Sequence, residues 1–170
     1  MKRVIAFIGG LVFTAMLFAG CAGDGQSFTQ KNYEADGALV QSIRIEARDR
    51  QITVSRSEDE QIHIAYAESE KEYYDISVSE DSVLSMLAVE NKQWSDYIGS
   101  KPEAENRQIF LQIPDACIAT LEISTTNAEI ALSALKITED LILSANGGDI
   151  SLDQISVGRS IVLSGKNGDI

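Results

Sequence analysis

The sequence predicts an all-β protein: a single-stranded β-solenoid with 20-residue coils and less regular N-terminal strands, preceded by a signal helix and a flexible tether. Three observations predict it. A 20-residue repeat begins at Leu121, apolar and polar residues alternate through most of the chain between Ile43 and Ile113, and no segment after residue 20 sustains a helical period.

The repeat is the strongest of the three. LEISTTNAEIALSALKITED (121–140) is followed by LILSANGGDISLDQISVGRS (141–160) and the half-unit IVLSGKNGDI (161–170). In register, the columns are Leu121, Leu141 and Ile161; Ile123, Leu143 and Leu163; Ser124, Ser144 and Ser164; Glu129, Asp149 and Asp169; and Ile130, Ile150 and Ile170. Further columns pair Leu132 with Leu152, Leu135 with Ile155 and Ile137 with Val157. A unit this short cannot bury its apolar side alone, so it stacks on its neighbours, which is the definition of a solenoid. Gly147, Gly148 and Gly168 fall where each coil turns, and positive φ is expected there.

Upstream, period-two alternation marks short strands at Ile43 and Ile45, Ile52 and Val54, Ile62 and Ile64, Ile76 and Val78, Leu84 to Val89, and Ile109 to Ile113. The first three resemble a degenerate repeat unit, with nineteen residues from Ile43 to Ile62, so the solenoid is expected to begin near residue 40. Acidic clusters such as Glu58-Asp59-Glu60 fit turns between them. The polar stretch from Asn91 to Asn106, containing Trp94, Tyr97 and Pro102, reads as an irregular excursion.

Residues 1–20 carry Lys2 and Arg3, an uninterrupted weakly polar run from Val4 to Phe18, and the small pair Ala19-Gly20. The run is shorter than the roughly 20 apolar residues a membrane span needs, and its basic, apolar, small order is that of an export signal. Leu17-Phe18-Ala19-Gly20-Cys21 resembles the lipobox of bacterial lipoproteins, which implies lipidation of Cys21; Phe18 stands where Leu is usual. Two or more acyl chains would anchor the protein stably to membrane lipid. Residues 21–37, rich in Gly, Asp and Gln, read as a lipidated Cys and tether reaching on the order of 20 Å. Residues 38–170 form the solenoid domain. It stops ten positions into a unit, and is therefore expected to be incomplete at its C-terminus or to self-associate through the open C-terminal edge.

The chemistry available to the domain is narrow. The 170 residues hold 14 basic and 26 acidic side chains, for a net charge of −12, with no Lys/Arg cluster. Nucleic acid is excluded as a partner, because its binding depends on neutralising phosphates. One His and two Cys leave little for a nucleophilic triad or a zinc site, and no cofactor and no resident metal are implied. Cys117 has no second thiol once Cys21 is lipidated, and reads as a small buried hydrophobe. His63 lies between inward Ile62 and Ile64 and so points to solvent. GRSIVLSGKN at 158–167 lacks the first Gly and the final Ser/Thr of a phosphate loop. Gly147-Gly148-Asp149 lacks the second Gly-x-Asp of calcium-binding nonapeptides. Glu129, Asp149 and Asp169 form one acidic column, a candidate weak cation ladder if coils stack at about 4.8 Å. Tyr66, Tyr73, Tyr74, Trp94 and Tyr97 either stack a ligand or cover a sheet end.

IFLQIPD at 109–115, followed by units ending in Asn-Ala-Glu-Ile, Gly-Gly-Asp-Ile and Asn-Gly-Asp-Ile, resembles the DUF4097 β-strand-repeat family, whose members are labelled candidate adhesins. The likeness covers roughly residues 40–170 and rests on Leu111-x-x-Pro114 and the Gly-Asp-Ile corners, with Ala128 replacing the usual Gly in the first full unit. It implies a secreted or anchored β-helical body. The expected function is a lipid-anchored, non-enzymatic cell-envelope protein on the extracytoplasmic side of the membrane, meeting an envelope protein or glycan as an adhesion-like module. The alternatives are an accessory component of envelope-stress signalling that binds a membrane sensor, and a polysaccharide-active enzyme whose carboxylates would come from the acidic column.

Overall fold

The computed structural model describes residues 27–93, 102–115 and 118–170. The export signal, Cys21, Trp94, Tyr97 and Cys117 lie outside these residues. Fourteen strands account for most of the described chain: β1 (Thr29–Asp36), β2 (Ser42–Glu46), β3 (Gln51–Arg56), β4 (Gln61–Glu68), β5 (Glu72–Val78), β6 (Val83–Glu90), β7 (Gln108–Ile113), β8 (Thr120–Thr125), β9 (Ile130–Ser133), β10 (Lys136–Ile137), β11 (Asp140–Ala145), β12 (Ile150–Asp153), β13 (Ser156–Val157) and β14 (Ser160–Gly165). They form two six-stranded sheets, ordered β1-β4-β7-β3-β9-β12 and β14-β11-β8-β2-β6-β5, and a two-stranded sheet of β10 and β13. The protein is all-β and solenoid-like.

The C-terminal half shows how this arises. The chain runs β8, β9, β10 through the three sheets, then β11, β12, β13, then β14, advancing by one strand in each sheet per pass. Each strand lies parallel to its predecessor, with Leu121 opposite Leu141 and Leu141 opposite Ile161, Ile130 opposite Ile150, and Ile137 opposite Val157. Alternation then sends one parity of each strand inward. Leu121, Ile123, Leu141 and Leu143 are at most 1% exposed, and each such side chain contributes about 1.5–3 kcal/mol by leaving water.

The N-terminal half joins the same stack out of chain order. Ile43 of β2 lies between Leu121 of β8 and Leu84 of β6, all parallel, and Ile52 of β3 lies between Ile130 of β9 and Ile109 of β7. The pair β2–β3 is thus one pass and β6–β7 the next; residues 94–101 of the excursion expected over Asn91 to Asn106 lie outside the described residues, and Ala104–Arg107 forms a short 3-10 helix before β7. The expectation that Ile62 continues the Ile43 unit is corrected. Ile62 opposes Ala35 of β1, and β4 runs antiparallel to both β1 and β7.

The tether expected over 21–37 is corrected in the same way for its second part. Thr29–Asp36 is a strand, and its alternation of exposed and half-covered residues places Tyr33 and Ala35 against the core. The sequence TQKNYEAD has only these two apolar side chains, so its strand character comes from the eight-residue register with β4 rather than from hydrophobic pattern.

The β1, β4 and β5 strands close this end of the stack with antiparallel pairing. Inside the closure, the Tyr66 and Tyr74 rings meet edge to face at 5.4 Å. They cover the sheet end, as one of the two sequence readings has it, while Tyr73 is 41% exposed. Beside them Arg50, at the β2–β3 corner, pairs with Glu72 of β5 at 2.7 Å, and Lys92 reaches the other Glu72 oxygen at 2.7 Å. Arg50 and Glu72 are almost wholly buried, so removing Glu72 alone would strand a buried cation at a cost of about 3–5 kcal/mol. The Thr125 hydroxyl also donates to the Arg50 carbonyl at 2.9 Å, tying this corner to β8.

Glycine at the turns serves a purpose other than the expected one. No described glycine has positive φ; the left-handed positions are Asp49, Ser82, Ala134 and Gln154. Gly148 and Gly168 are required by closeness instead. A Cβ on Gly148 would sit 2.2 Å from the Ala128 carbonyl, and one on Gly168 would sit 2.3 Å from the Gly148 carbonyl. The opposite corner carries the strain, at Ala134 and Gln154, which recur one pass apart with φ of 54° in both.

Two predictions follow from this packing. Gly148→Ala should force two passes apart and lower stability by about 1–3 kcal/mol, whereas Gln154→Gly, which relieves a left-handed residue, should be neutral or stabilising by up to about 1 kcal/mol. Urea unfolding of both variants checks the contrast. The second prediction concerns alkaline pH. Burial, the largest cause, pushes the Tyr66 and Tyr74 phenols up to about 12, above the value of about 10 for an unfolded chain. With folded values raised, the neutral phenols favour the fold in full below pH 10, and that contribution is lost as pH rises from 10 towards 12. Thermal melts across this window should fall more steeply for the wild type than for Tyr66→Phe/Tyr74→Phe.

Candidate functional site

Glu129, Asp149 and Asp169 occupy equivalent corners between the two large sheets, just before the position of Ile130, Ile150 and Ile170. The backbone carbonyl of each accepts an N–H from the neighbouring pass: Ile52 to Glu129, Ile130 to Asp149 and Ile150 to Asp169, each at 2.9 Å. The column is therefore real at the level of the main chain. Its side chains go to different partners. The Gln51 amide donates to Glu129 Oε2 at 3.2 Å, and the Asp169 N–H donates to Asp149 Oδ1 at 2.8 Å. Among the described residues no group of three or more His, Cys, Asp or Glu side chains is arranged to hold a metal ion. The observed use of Asp149 is to bind the backbone of the next pass.

Gln51 extends this column on the next pass, and the sequence reading missed it, because β3 joins the stack 78 positions before β9 rather than 20. The same offset sets Asp49 beside Asn127. The Asn127 amide donates to Asp49 Oδ1 at 2.8 Å, and Thr126 exchanges hydrogen bonds with Asp49 through its hydroxyl. Asp49 and Asn127, with Gln51, Glu129 and Arg107, border an open depression of about 200 Å³. A further tie between passes joins Arg159 to Asp140, whose carboxyl is held down to about 2 by the Arg159 guanidinium and then by the Ser160 hydroxyl.

A second depression, of about 240 Å³, lies on the outer face of the first sheet over β1, β4 and β7. His63 stands in it as expected of a surface strand residue. One ring nitrogen lies 2.9 Å from Asp59 Oδ1, and the other 3.5 Å from Glu34 Oε1. The Gln61 N–H first, and then His63 and Ser57, hold the Asp59 carboxyl below its ordinary range. Phe110 and Gln112 of β7 and Asn32 of β1 complete the depression. None of these three was singled out from the sequence. Asn32 and Glu34 fell in the expected tether, and only the strand order β1-β4-β7 brings them to His63 and Phe110.

Cys21 lies outside the described residues. Among the described residues, no helix is long and apolar enough to cross a membrane.

Comparison with known proteins bears on the fold. The chain is similar to a solved candidate cell adhesion protein from Clostridium sporogenes, with 14% identity, 82% of this chain and 68% of that chain covered, and a TM-score of 0.54. A candidate adhesin from Parabacteroides distasonis aligns with 11% identity over 87% of this chain and 98% of that one, with a TM-score of 0.30. No curated protein matches the chain. The profile of one family, described as Toastrack DUF4097, matches residues 40–170, the span that contains the stacked passes and their Gly-Asp-Ile corners; the chain belongs to the Toastrack DUF4097 family.

Proposed function

We propose that the protein is a lipid-anchored, non-enzymatic module of the cell envelope, held on the extracytoplasmic side by acylated Cys21, whose body is a single-stranded β-solenoid with 20-residue coils that makes adhesion-like contacts. The observation that carries the reading is the placement of a large β-stack behind a basic, apolar, small-residue leader that ends in Cys21. The stack spends its inward residues on a continuous aliphatic core and turns two broad, regular faces outward. Its depressions are open, the one over β7 mixing the Phe110 ring with polar side chains and the one at the Gln51 corner mainly polar, and both suit surface contact. The fold it shares with the Clostridium sporogenes candidate cell adhesion protein supports the same role.

Anchoring is tested by Cys21→Ser. The variant should leave the membrane fraction or accumulate with its leader uncleaved, and protease added to intact cells should reach the wild-type body. A variant that stays in the membrane fraction with unchanged mass would sink the lipoprotein reading. Recovery of one stoichiometric membrane protein from intact envelopes would replace the adhesion-like role with an accessory one.

A further inference from the structure

The outer face of the first sheet carries a side chain that neither stacking nor stability requires. Phe110 is 47% exposed, although its chain neighbours Ile109 and Leu111 are buried to within 1%. Leaving so large an apolar surface in water forgoes the stabilisation that its burial would bring. Its lateral neighbours are short: Ala65 of β4 on one side and Thr53 of β3 on the other. The ring therefore stands clear of the sheet, and the space beside it is the depression of about 240 Å³. The next row of the same face runs Glu34, His63, Gln112 across β1, β4 and β7, and Asn32 lies opposite Ala65.

The site thus pairs one aromatic face with planar polar groups. The Asn32 and Gln112 amides each offer both donors and an acceptor, whereas Glu34 only accepts. A cation would use the acceptors and leave the amide donors idle. An anion would face Glu34 and Asp59. A wholly apolar ligand would strip water from four polar side chains without replacing their hydrogen bonds. A sugar ring meets all the requirements at once: its C–H face lies on an aromatic ring, and its hydroxyls both donate and accept around the edge. The volume is below the roughly 300–1,000 Å³ of sites for drug-sized molecules, and suits a single ring.

We infer that the depression over β1, β4 and β7 is a subsite for one residue of a neutral glycan, stacked on Phe110 and hydrogen-bonded at its rim by Asn32 and Gln112. The inference rests on the surface-module reading above and gives that module a ligand class. One open subsite of this kind binds weakly, so the assay must tolerate fast exchange.

Saturation-transfer NMR on the detergent-solubilised full-length protein provides the test, with cellotetraose, maltotetraose and chitotetraose as neutral probes, tetragalacturonate as the acidic probe and tetralysine as the cationic one. At least one neutral probe should receive saturation from the wild type. Phe110→Ala should weaken that binding by about tenfold or more, and Asn32→Ala/Gln112→Ala should weaken it as well. All three positions are on the exposed face, so the variants should melt as the wild type does, which confirms that the fold is intact. No transfer to any neutral probe, transfer unchanged in Phe110→Ala, or transfer to tetralysine or tetragalacturonate alone would overturn the inference. Fractionation of the same cells reports anchoring by itself, so failure here with the anchor intact overturns the glycan subsite and leaves the surface module standing.

Discussion

Parallel pairing of each strand with one from another pass is the constraint on which the whole molecule depends. A single pass such as β8–β9–β10 has one inward row of aliphatic side chains and two rows of unpaired backbone groups. It is stable only between neighbours that supply both a matching row and a matching ladder. That requirement fixes what can vary. Inward positions admit Leu, Ile, Val, Ala and Met, while the corners must keep the distance between passes. Gly148 and Gly168 satisfy the corner by lacking a Cβ; Asp149 satisfies it by accepting the Asp169 N–H.

The same constraint explains why the other end is built differently. Beyond β6 and β7 the stack continues in antiparallel strands, β5 on one sheet and β4 and β1 on the other. Antiparallel strands can be joined by a short turn, which is how β5 is added beside β6, whereas β4 and β1, on the other sheet, meet their partners through longer stretches of chain. The β5–β6 hairpin turns within four residues, with Ser82 at positive φ and its N–H on the Ser79 carbonyl. Closing the end also brings polar groups inside. Arg50, Glu72 and Lys92 meet there, and each ion is compensated, although Arg50 Nε finds no hydrogen-bond partner among the described residues. Such a pair adds little net stability over an apolar substitute, but it accepts only one docking of β5 against the β2–β3 corner.

The parts of this architecture that sequence could reveal are those written at a fixed spacing. The columns from Leu121 to Ile161 and from Ile130 to Ile150 were legible because identical passes follow one another directly, and period-two alternation marked β2 through β7 because each buries one face. Relations that depend on long or unequal connections were not legible. Ile43 pairs with Leu84 and Leu121, offsets that no repeat search returns, and the nineteen-residue spacing to Ile62 suggested a stack that does not exist. Strand β1 was misread as tether because most of its side chains are polar; its place is fixed by main-chain pairing with β4, which leaves no mark in composition. The depression around Phe110 was hidden for the same reason. Its residues come from β1, β4 and β7, and their adjacency is a fact of sheet order alone.

This division has a consequence for where recognition can reside. In the regular C-terminal passes equivalent positions have equivalent main-chain surroundings, so Glu129, Asp149 and Asp169 repeat one backbone arrangement, and the carboxylates of Glu129 and Asp149 are used to tie neighbouring passes together. A site that distinguishes one ligand needs different groups brought to one place. The antiparallel closure provides that asymmetry, because β1 and β4 run against β7 and juxtapose residues that have no counterpart in the repeat. Phe110, Asn32 and Gln112 lie at that seam, on strands whose inward faces are locked by Ile62, Ile64, Ile109 and Leu111. The aliphatic core that the repeat requires therefore holds the backbone beneath the seam, and its outer side chains can be arranged for a ligand without disturbing the stack.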